Sequence, residues 1–287
     1  MKHRLKWLWG KILGLSEGKR DKMVAGIVCV GNEVLDGVVQ DTNSFWLINE
    51  LKKMGIPVGE VFVVGDSVEA ISKAIHRLIE DGVEIILTSG GLGPTHDDLT
   101  LRGVAAAFGR KMVLNEEALR IVERQYRVLH EKRLLGSPEM IESRKKMAYL
   151  PEGAEPLDNR VGGAPGVYLE EEGVCVIALP GVPKELKWIF ENKVTPILRA
   201  RSPWKIVEKT LVLSMRDESV LAPILEEAQR RFPGLYLKSL VKPYGEGNIR
   251  VLIRGGGCSA QQVEAQLDEA INYLQNRLNK IGRRDGS

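Results

Sequence analysis

From residue 23 onwards, short apolar runs alternate with longer segments in which apolar residues recur at every third or fourth position. The short runs predict β-strands, and the periodic segments predict amphipathic helices. Strands are expected over 24–30, 58–64, 83–87 and 174–179, and helices over 43–54, 68–80, 115–133 and 184–198. Strands and helices in regular succession are typical of an α/β domain, with a parallel sheet covered by helices on both faces.

A second, smaller pattern follows the linker-like residues 201–203. It predicts the order strand, helix, strand, strand, helix over 206–214, 218–232, 235–241, 248–254 and 260–281. The stretch PYGEGN before the last predicted strand is typical of a hairpin turn. We therefore expect two domains, one over 23–200 and a small α+β domain over 205–282.

Residues 1–22 stand apart from both patterns. Five apolar residues between positions 5 and 13 fall at helical spacing among basic residues, which predicts a basic amphipathic helix. No small-residue cleavage site follows, and Gly10, Lys11 and Gly14 interrupt the apolar stretch, so a secretory signal peptide is not expected. Three interpretations stay open: a leader that packs on the body, a segment that contacts a membrane surface, and a start-site artefact with Met23 as the first residue.

Composition and charge limit the kinds of molecule that the protein is expected to bind. The 287 residues are 44% hydrophobic and 28% charged, which is typical of a globular chain with a sizeable core. Seven of the 41 Lys and Arg residues lie within 1–22, and the rest of the chain carries 34 basic and 36 acidic residues. This balance does not favour nucleic acid as the main partner.

The three cysteines, Cys29, Cys175 and Cys258, lie far apart and form no CxxC pair. An odd number at such spacing fits neither a disulfide framework nor a zinc site, and a reducing cytoplasm is the expected compartment. No apolar run approaches the roughly 18 residues that a membrane-spanning helix needs.

The string SGGLGPTHDDL, residues 89–99, directly follows the third predicted strand. Ligands of parallel α/β sheets bind outside the carboxyl ends of the strands, so this loop is a site candidate by position. We expect Gly90, Gly91 and Gly93, with Thr95, to hold a phosphate through backbone N–H groups. The loop lacks the Gly-Lys-Ser/Thr of a P-loop and the third glycine of a dinucleotide fingerprint.

Asp97 and Asp98 place negative charge beside this expected phosphate site. One interpretation is structural: Thr95 caps a helix, Asp98 completes a capping box, and the acids complement the helix dipole. The other is a divalent cation between carboxylates and phosphate, because Mg²⁺ typically takes one or two protein carboxylates together with phosphate oxygens.

The loop after the first strand, GNEVLDGVVQDTNS at 31–44, supplies more polar candidates at the same edge. Glu33 and Asp41 would join Asp97 and Asp98 in an acidic cluster that a cation makes tolerable. The structural alternative is turn and cap chemistry, with Thr42 or Asn43 capping the next helix.

Two further glycine-rich strings, GGAPG at 162–166 and LPGVPKEL at 179–186, are candidates for a second phosphate or a ring. The residues expected to contact the ligand there are Gly163, Pro165, Gly166 and Gly181. Lys184 and Glu185 are expected to begin a helix with solvated charge. No GxSxG string and no Cys–His pairing indicates nucleophilic triad chemistry.

These strings carry a family resemblance. GNEVLDGVVQDTNS, TSGGLGPTHDDLT, GGAPG and LPGVPKEL resemble the N-terminal part of the competence/damage-inducible protein CinA, a branch of the MoaB/MogA molybdopterin-binding superfamily. The small domain is similar, more loosely, to the KH-like domain of the same proteins. The resemblance implies a three-layer α/β/α domain that forms homo-oligomers, as dimers or trimers.

The resemblance also implies ligands and roles. In the molybdopterin branch, two aspartates act in adenylating molybdopterin or inserting molybdate, and they match Asp98 and Asp41; CinA-like relatives commonly carry Asn at the latter place. Related domains are pyrophosphatases that use a divalent metal, here Mg²⁺, Mn²⁺ or Co²⁺, often with potassium, on ADP-ribose or FAD. The nicotinamide-mononucleotide deamidase domain of full-length CinA would need more chain after residue 285, and that activity is not expected.

Three functions follow as hypotheses. The first is a metal-dependent pyrophosphatase for an ADP-ribose- or FAD-like dinucleotide, with Asp97, Asp98 and Glu33 on the metal and Asp98, Asp97 and Asp41 as catalytic residues. The second is binding of molybdopterin or molybdopterin-AMP. The third is a non-enzymatic module whose small domain contacts RNA or protein, although that domain lacks the GXXG clamp of RNA-binding KH domains.

Overall fold

The computed structural model describes residues 23–201, 205–215, 217–240 and 248–282. The predicted leader, most of the linker and most of the PYGEGN turn lie outside these residues. The chain forms a larger compact unit of Met23–Lys52 and Ile56–Ser202, and a smaller one that contains Pro203–Ser287. No helix within the described ranges is long and apolar enough to cross a membrane.

Six strands form the central sheet of the larger unit: β1 (Ala25–Val30), β2 (Val58–Val64), β3 (Ile85–Ser89), β6 (Glu155–Leu157), β7 (Gly166–Glu171) and β8 (Val174–Leu179). The remaining strands, β4 (Met112–Leu114) and β5 (Tyr149–Pro151), pair with each other. The sheet order is β2-β1-β3-β8-β7-β6, parallel across the first four strands and antiparallel at β7 and β6. The predicted α/β class with a mostly parallel sheet is confirmed, and the antiparallel pairing of β7 and β6 is an addition that the apolar pattern did not predict.

Eight α-helices accompany these strands in the described part of the larger unit: α1 (Asn32–Leu35), α2 (Thr42–Lys53), α3 (Val68–Glu80), α4 (Thr100–Ala107), α5 (Glu116–Glu131), α6 (Glu142–Lys145), α7 (Pro183–Ile189) and α8 (Thr195–Arg201). A π-helical segment, Phe190–Val194, joins α7 to α8, so the single helix predicted over 184–198 contains a change of helical type.

Helix starts and buried faces follow from local sequence. The Ser67 side chain accepts a hydrogen bond from the Ala70 amide and caps α3, whose residues Ile71, Ile75 and Leu78 are fully buried at helical spacing. Asn115 caps α5 in the same way, as its residue type predicts.

Every residue of β1, β3 and β8 is buried, which explains why their sequences are continuously apolar rather than alternating. Cys29 pairs with Ser89, and Ser89 pairs with Leu179, so the carboxyl ends of the three strands are level. The antiparallel β7 begins at the same edge, because Val167 pairs with Ala178. The loops after β1, β3 and β8 and the segment before β7 therefore meet at one edge of the sheet.

The smaller unit contains β9 (Lys205–Leu213), α9 (Glu218–Arg231), β10 (Tyr236–Leu240), β11 (Ile249–Gly257) and α10 (Ala260–Gly282). Its strands form an antiparallel sheet in the order β10-β11-β9. Leu221, Ile253 and Leu267 are fully buried in its own apolar core. The predicted order of elements is confirmed.

Candidate functional site

A cleft of about 580 Å³ opens at the carboxyl edge of the central sheet, between the loops that meet there. The predicted site residues that line it are Glu33, Asp41, Gly90, Gly91, Gly93, Thr95, Asp97, Asp98, Gly163 and Gly181. Pro165 and Gly166 were predicted to contact a ligand, but both are buried outside the cleft lining. Gly166 is the first residue of β7, so hydrogen bonding within the sheet, rather than a loop, determines its place.

Backbone geometry holds the glycine loop after β3 at both ends. Gly90 and Gly91 have positive φ angles of 103° and 66°, which residues with a Cβ atom rarely adopt. A Cβ on Gly90 would collide with the Val30 carbonyl oxygen. The Gly90 amide donates to the Leu179 carbonyl at 3.0 Å, and the Thr100 hydroxyl donates to the Gly90 carbonyl at 2.7 Å.

Several backbone amides in the cleft lining have no acceptor within the part of the chain that the structure describes. They belong to Gly91, Leu92 and Gly93 after β3, and to Gly181 and Val182 after β8. Unbonded amides on glycine-rich loops form concave sites for anions, because each N–H carries a partial positive charge. The arrangement can therefore hold an anionic group without a charged side chain.

Thr95 binds both acids of the loop. Its amide donates to Asp98 Oδ2 at 2.7 Å, its hydroxyl donates to the same oxygen at 2.5 Å, and the hydroxyl also contacts Asp97 Oδ1. The Thr95 hydrogen bond is the main cause that lowers the pKa of Asp97, followed by the bond to the amide of Asp97 itself. The Lys146 ammonium donates to the Thr95 carbonyl, which places a positive charge beside the two acids.

The predicted helix start at Thr95 is wrong. Helix α4 begins at Thr100, and its N-cap residue, Leu99, makes no side-chain cap. The Asp98 amide instead donates to the Thr95 carbonyl at 3.3 Å, which closes a separate turn before the helix. The Asp98 carboxylate thus bonds the Thr95 amide as in a capping box, but the chain does not continue as a helix from there.

The four predicted acids of the cleft come from the loops after β1 and β3. Among the described residues, no group of three or more His, Cys, Asp or Glu side chains is placed to hold a metal ion. Thr95 contacts one carboxylate oxygen of Asp97 and one of Asp98, and Glu33 and Asp41 line the cleft from the loop after β1.

Asp41 is the cap of α2, where the sequence offered Thr42 or Asn43. The Ser44 amide donates to Asp41 Oδ1 at 2.9 Å, and the helix begins at Thr42. Asp41 also affects Cys29: burial raises the pKa of that thiol to about 12, with further increases from the charge and hydrogen bond of Asp41.

Asn43, which the sequence offered as a polar candidate or a helix cap, connects three elements at the base of the cleft. Its Nδ2 donates to Ser89 Oγ at 2.9 Å and to the Gly181 carbonyl at 2.7 Å. The residue is only 8% exposed, and its Oδ1 has no partner among the described residues. The available signal was an amide side chain in the first turn of a helix that starts at the carboxyl edge of the sheet.

Glu185 was expected to be a solvated charge, and that expectation is wrong. It lies partly buried in the first turn of α7, lines the cleft, and its Oε2 accepts a hydrogen bond from Asn159 Nδ2 at 2.7 Å. Burial raises the pKa of Glu185, and the bond from Asn159 partly offsets this effect. Its neighbour Lys184 is exposed, as predicted.

Comparison with known proteins assigns the larger part of the chain to a family. Residues 26–200 match the family described as probable molybdopterin binding domain. Protein PH0439 of Pyrococcus horikoshii is 46% identical over 210 residues, which cover 73% of this chain and 81% of that protein. Protein TK1472 of Thermococcus kodakarensis is 39% identical over 255 residues, which cover 89% and 97% of the two chains.

A solved structure agrees with the sequence relatives. Protein CinA of Thermoplasma acidophilum, described as of unknown function, superposes with a TM-score of 0.56 at 35% identity, covering 61% of this chain and 98% of that one. The resemblance predicted from the loop strings is therefore confirmed. The chain belongs, over residues 26–200, to the family of the probable molybdopterin binding domain, as a CinA-like member.

Proposed function

We propose that the cleft binds a phosphorylated pterin of the molybdopterin type, free or joined to AMP. The observation that carries the proposal is the set of unbonded amides at 91–93 and 181–182, which line one cleft at the carboxyl edge of a parallel sheet. Such amides suit a phosphate, and this edge is where ligands of α/β sheets bind. The volume of about 580 Å³ falls within the usual range for small-molecule sites.

The acids beside the glycine loop are compatible with this proposal. Two bare carboxylates would repel a phosphate a few ångströms away. The Thr95 amide donates to Asp98, the Thr95 hydroxyl contacts both carboxylates, and Lys146 adds one positive charge, so the acids have partners before any ligand arrives. These contacts reduce the repulsion that a bound phosphate would meet.

A metal-dependent pyrophosphatase is the second candidate. It is favoured by one observation, the position of Asp97 and Asp98 in the same cleft as the glycine amides. Each carboxylate keeps lone pairs that Thr95 does not use, and these would hold Mg²⁺, Mn²⁺ or Co²⁺, with potassium as an additional ion. A bound dication polarises a phosphoryl oxygen and activates a water, which suits ADP-ribose or FAD as substrate.

The test compares wild type with Gly181→Ala. A Cβ on Gly181 would lie 3.3 Å from the Gly90 Cα, so the two loops that carry the unbonded amides would have to shift by a few tenths of an ångström. We expect wild type to co-purify with a fluorescent pterin and to bind AMP and inorganic pyrophosphate in calorimetric titrations. Gly181→Ala should weaken pyrophosphate binding about tenfold or more, since about 1.4 kcal/mol of lost contact is enough.

Gly136→Ala is the matched control, because a Cβ at Gly136 meets no atom within 4 Å and the residue lies outside the cleft lining. It should bind like wild type. The second candidate would be favoured if wild type carried no pterin and released AMP from ADP-ribose or FAD. That release should need Mg²⁺ or Co²⁺ and should be abolished by Asp98→Ala. Absence of both binding and turnover would refute both candidates.

A further inference from the structure

Glu185 is a carboxylate without a charged partner in the wall of the cleft. Its only hydrogen bond among the described residues is the one from the neutral Asn159, and no Lys, Arg or His of these residues forms an ion pair with it. Partial burial of a carboxylate without an ionic partner is unfavourable, and its place in the first turn of α7 offsets only part of this cost. Such a group in a cleft is a candidate for contact with a ligand that compensates it.

The position of Glu185 is fixed by the segment before β7. Asn159 is completely buried, its Nδ2 also donates to the Ala164 carbonyl at 2.7 Å, and its Oδ1 accepts from the amides of Val161 and Gly162. Gly162 leaves space for the carboxylate, because a Cβ there would overlap it. The side chain is therefore held in place before any ligand binds.

One oxygen of this carboxylate remains open to the cleft. Oε2 accepts from Asn159, whereas Oε1 accepts no hydrogen bond from the described residues and is not among their fully buried polar atoms. An ionised carboxylate offers about four lone-pair sites, so Oε1 and the second lone pair of Oε2 are available to N–H donors.

The cleft thus offers N–H donors for an anionic group and a carboxylate acceptor for adjacent N–H donors of the same ligand. The unbonded amides of the loops after β3 and β8 donate, and Glu185 accepts. A 2-amino-4-oxo ring, as in a pterin or guanine, carries a ring N–H next to an exocyclic amino group and can give a carboxylate two parallel hydrogen bonds. Adenine has a single amino donor flanked by ring acceptors, so it cannot form this pair.

We propose that Glu185 is a specificity-determining residue, whose carboxylate pairs with the adjacent N–H donors of a 2-amino-4-oxo heterocycle and selects it over adenine. This inference rests on the proposed function, because it places the ring of the phosphorylated ligand in the same cleft. It concerns recognition of the ring and not of the phosphate.

The test of this role compares ligand binding by wild type and Glu185→Gln. Both proteins are titrated with neopterin monophosphate, GMP, AMP and inorganic pyrophosphate. Glutamine retains the size of the side chain, can still accept from Asn159, and turns a donor toward the cleft in place of the open oxygen. We expect Glu185→Gln to weaken neopterin monophosphate and GMP about 10- to 100-fold, the usual range for a hydrogen bond to a charged group. AMP and pyrophosphate should change less than twofold.

Glu191→Gln removes the same charge from an exposed position and should bind all four probes like wild type. Glu185→Asp keeps the charge with a shorter side chain and should show an intermediate loss for the two oxo-amino rings. It serves as the second variant if thermal unfolding shows that Glu185→Gln is not folded.

The outcomes separate this inference from the proposed function. Binding of neopterin monophosphate that Glu185→Gln leaves unchanged, or an equal loss for all four probes, would overturn the role of Glu185 and leave the proposed function standing. Binding of GMP without the pterin probe would support the pairing and assign the ligand to guanine nucleotides. Binding of no probe by wild type would reject the proposed function itself.

Discussion

The three cysteines differ in burial, and burial governs their reactivity. Cys29 and Cys175 lie in the buried strands β1 and β8, whereas Cys258 is exposed. Burial raises the pKa of Cys29 to about 12, helped by the charge of Asp41, and raises the pKa of Cys175 to about 11. Since the thiolate is the reactive form, the two strand cysteines should be inert in the folded chain.

Treatment of the native protein with iodoacetamide at pH 8 should therefore modify Cys258 alone. At a pKa of about 12, roughly one Cys29 thiol in ten thousand is ionised at this pH, and burial restricts access further. Peptide mass spectrometry measures the modified sites. Cys258→Ser should abolish labelling, and unfolding in guanidinium should expose all three thiols. Rapid labelling of Cys29 in the native protein would contradict the buried environment described here.

Helix ends show where local sequence decides and where it does not. Ser67 and Asn115 cap α3 and α5 by the chemistry expected of their residue types. Thr95 has an equally good local sequence, yet the turn it forms with Asp98 precedes α4 instead of starting it. For α2 the cap is Asp41, a residue whose position in the cleft also suggested a ligand role.

Replacement of Asp41 by alanine should lower the free energy of unfolding by about 1 kcal/mol, the usual effect of losing a helix cap. Urea denaturation followed by circular dichroism measures this difference. Thr42→Ala is the matched control, because Thr42 is exposed in the first turn and its side chain is not the cap; its effect should stay within about 0.5 kcal/mol. Equal losses in the two variants would show that Asp41 is not the principal cap.

At the scale of the whole molecule, two compact units each have their own apolar core. In the larger unit, polar contacts between distant segments supplement that core. Asp158, before β7, accepts a hydrogen bond from Arg160 at 2.6 Å and forms an ion pair with Arg124 of α5. The self-association implied by the resemblance, and a role for the small domain in contacting RNA or protein, stay predictions.

The contacts of Asp158 predict a pH-dependent stability. Burial alone would raise the pKa of its carboxyl, but the hydrogen bonds and charges of Arg124 and Arg160 outweigh burial and lower it. The ionised form therefore stabilises the fold above the unfolded pKa of about 3.9, and this contribution is lost as the pH falls through the lower, folded value. Asp158→Asn should lower the free energy of unfolding by about 1 kcal/mol at pH 7. The difference from wild type should be smaller below about pH 4.

Denaturant titrations at several pH values measure that difference. Asp36→Asn removes the same charge from an exposed position without an ion pair among the described residues, and it should differ little from wild type at any pH. A loss for Asp158→Asn that is the same at pH 3 and pH 7 would contradict the assignment to its ionised carboxylate.

The candidate site could be predicted only in part. The sequence located the loops, because glycine-rich strings directly after buried strands belong at the carboxyl edge of a parallel sheet. It did not predict which side chains turn into the cleft. Glu185 has the composition of a solvated helix start, and its environment depends on Asn159 and Gly162, more than 20 residues earlier in the chain.

The sequence by itself determined the elements that depend on local periodicity. Strand Val58–Val64 and helix Val68–Glu80 coincide with their predicted bounds, because side-chain direction repeats every two residues in a strand and every 3.6 in a helix. Only the tertiary structure decided that Gly166 starts an antiparallel strand and that Asn43 bonds Gly181, 138 residues away. The physical reason is that such contacts depend on which segments pack together, which local periodicity does not encode.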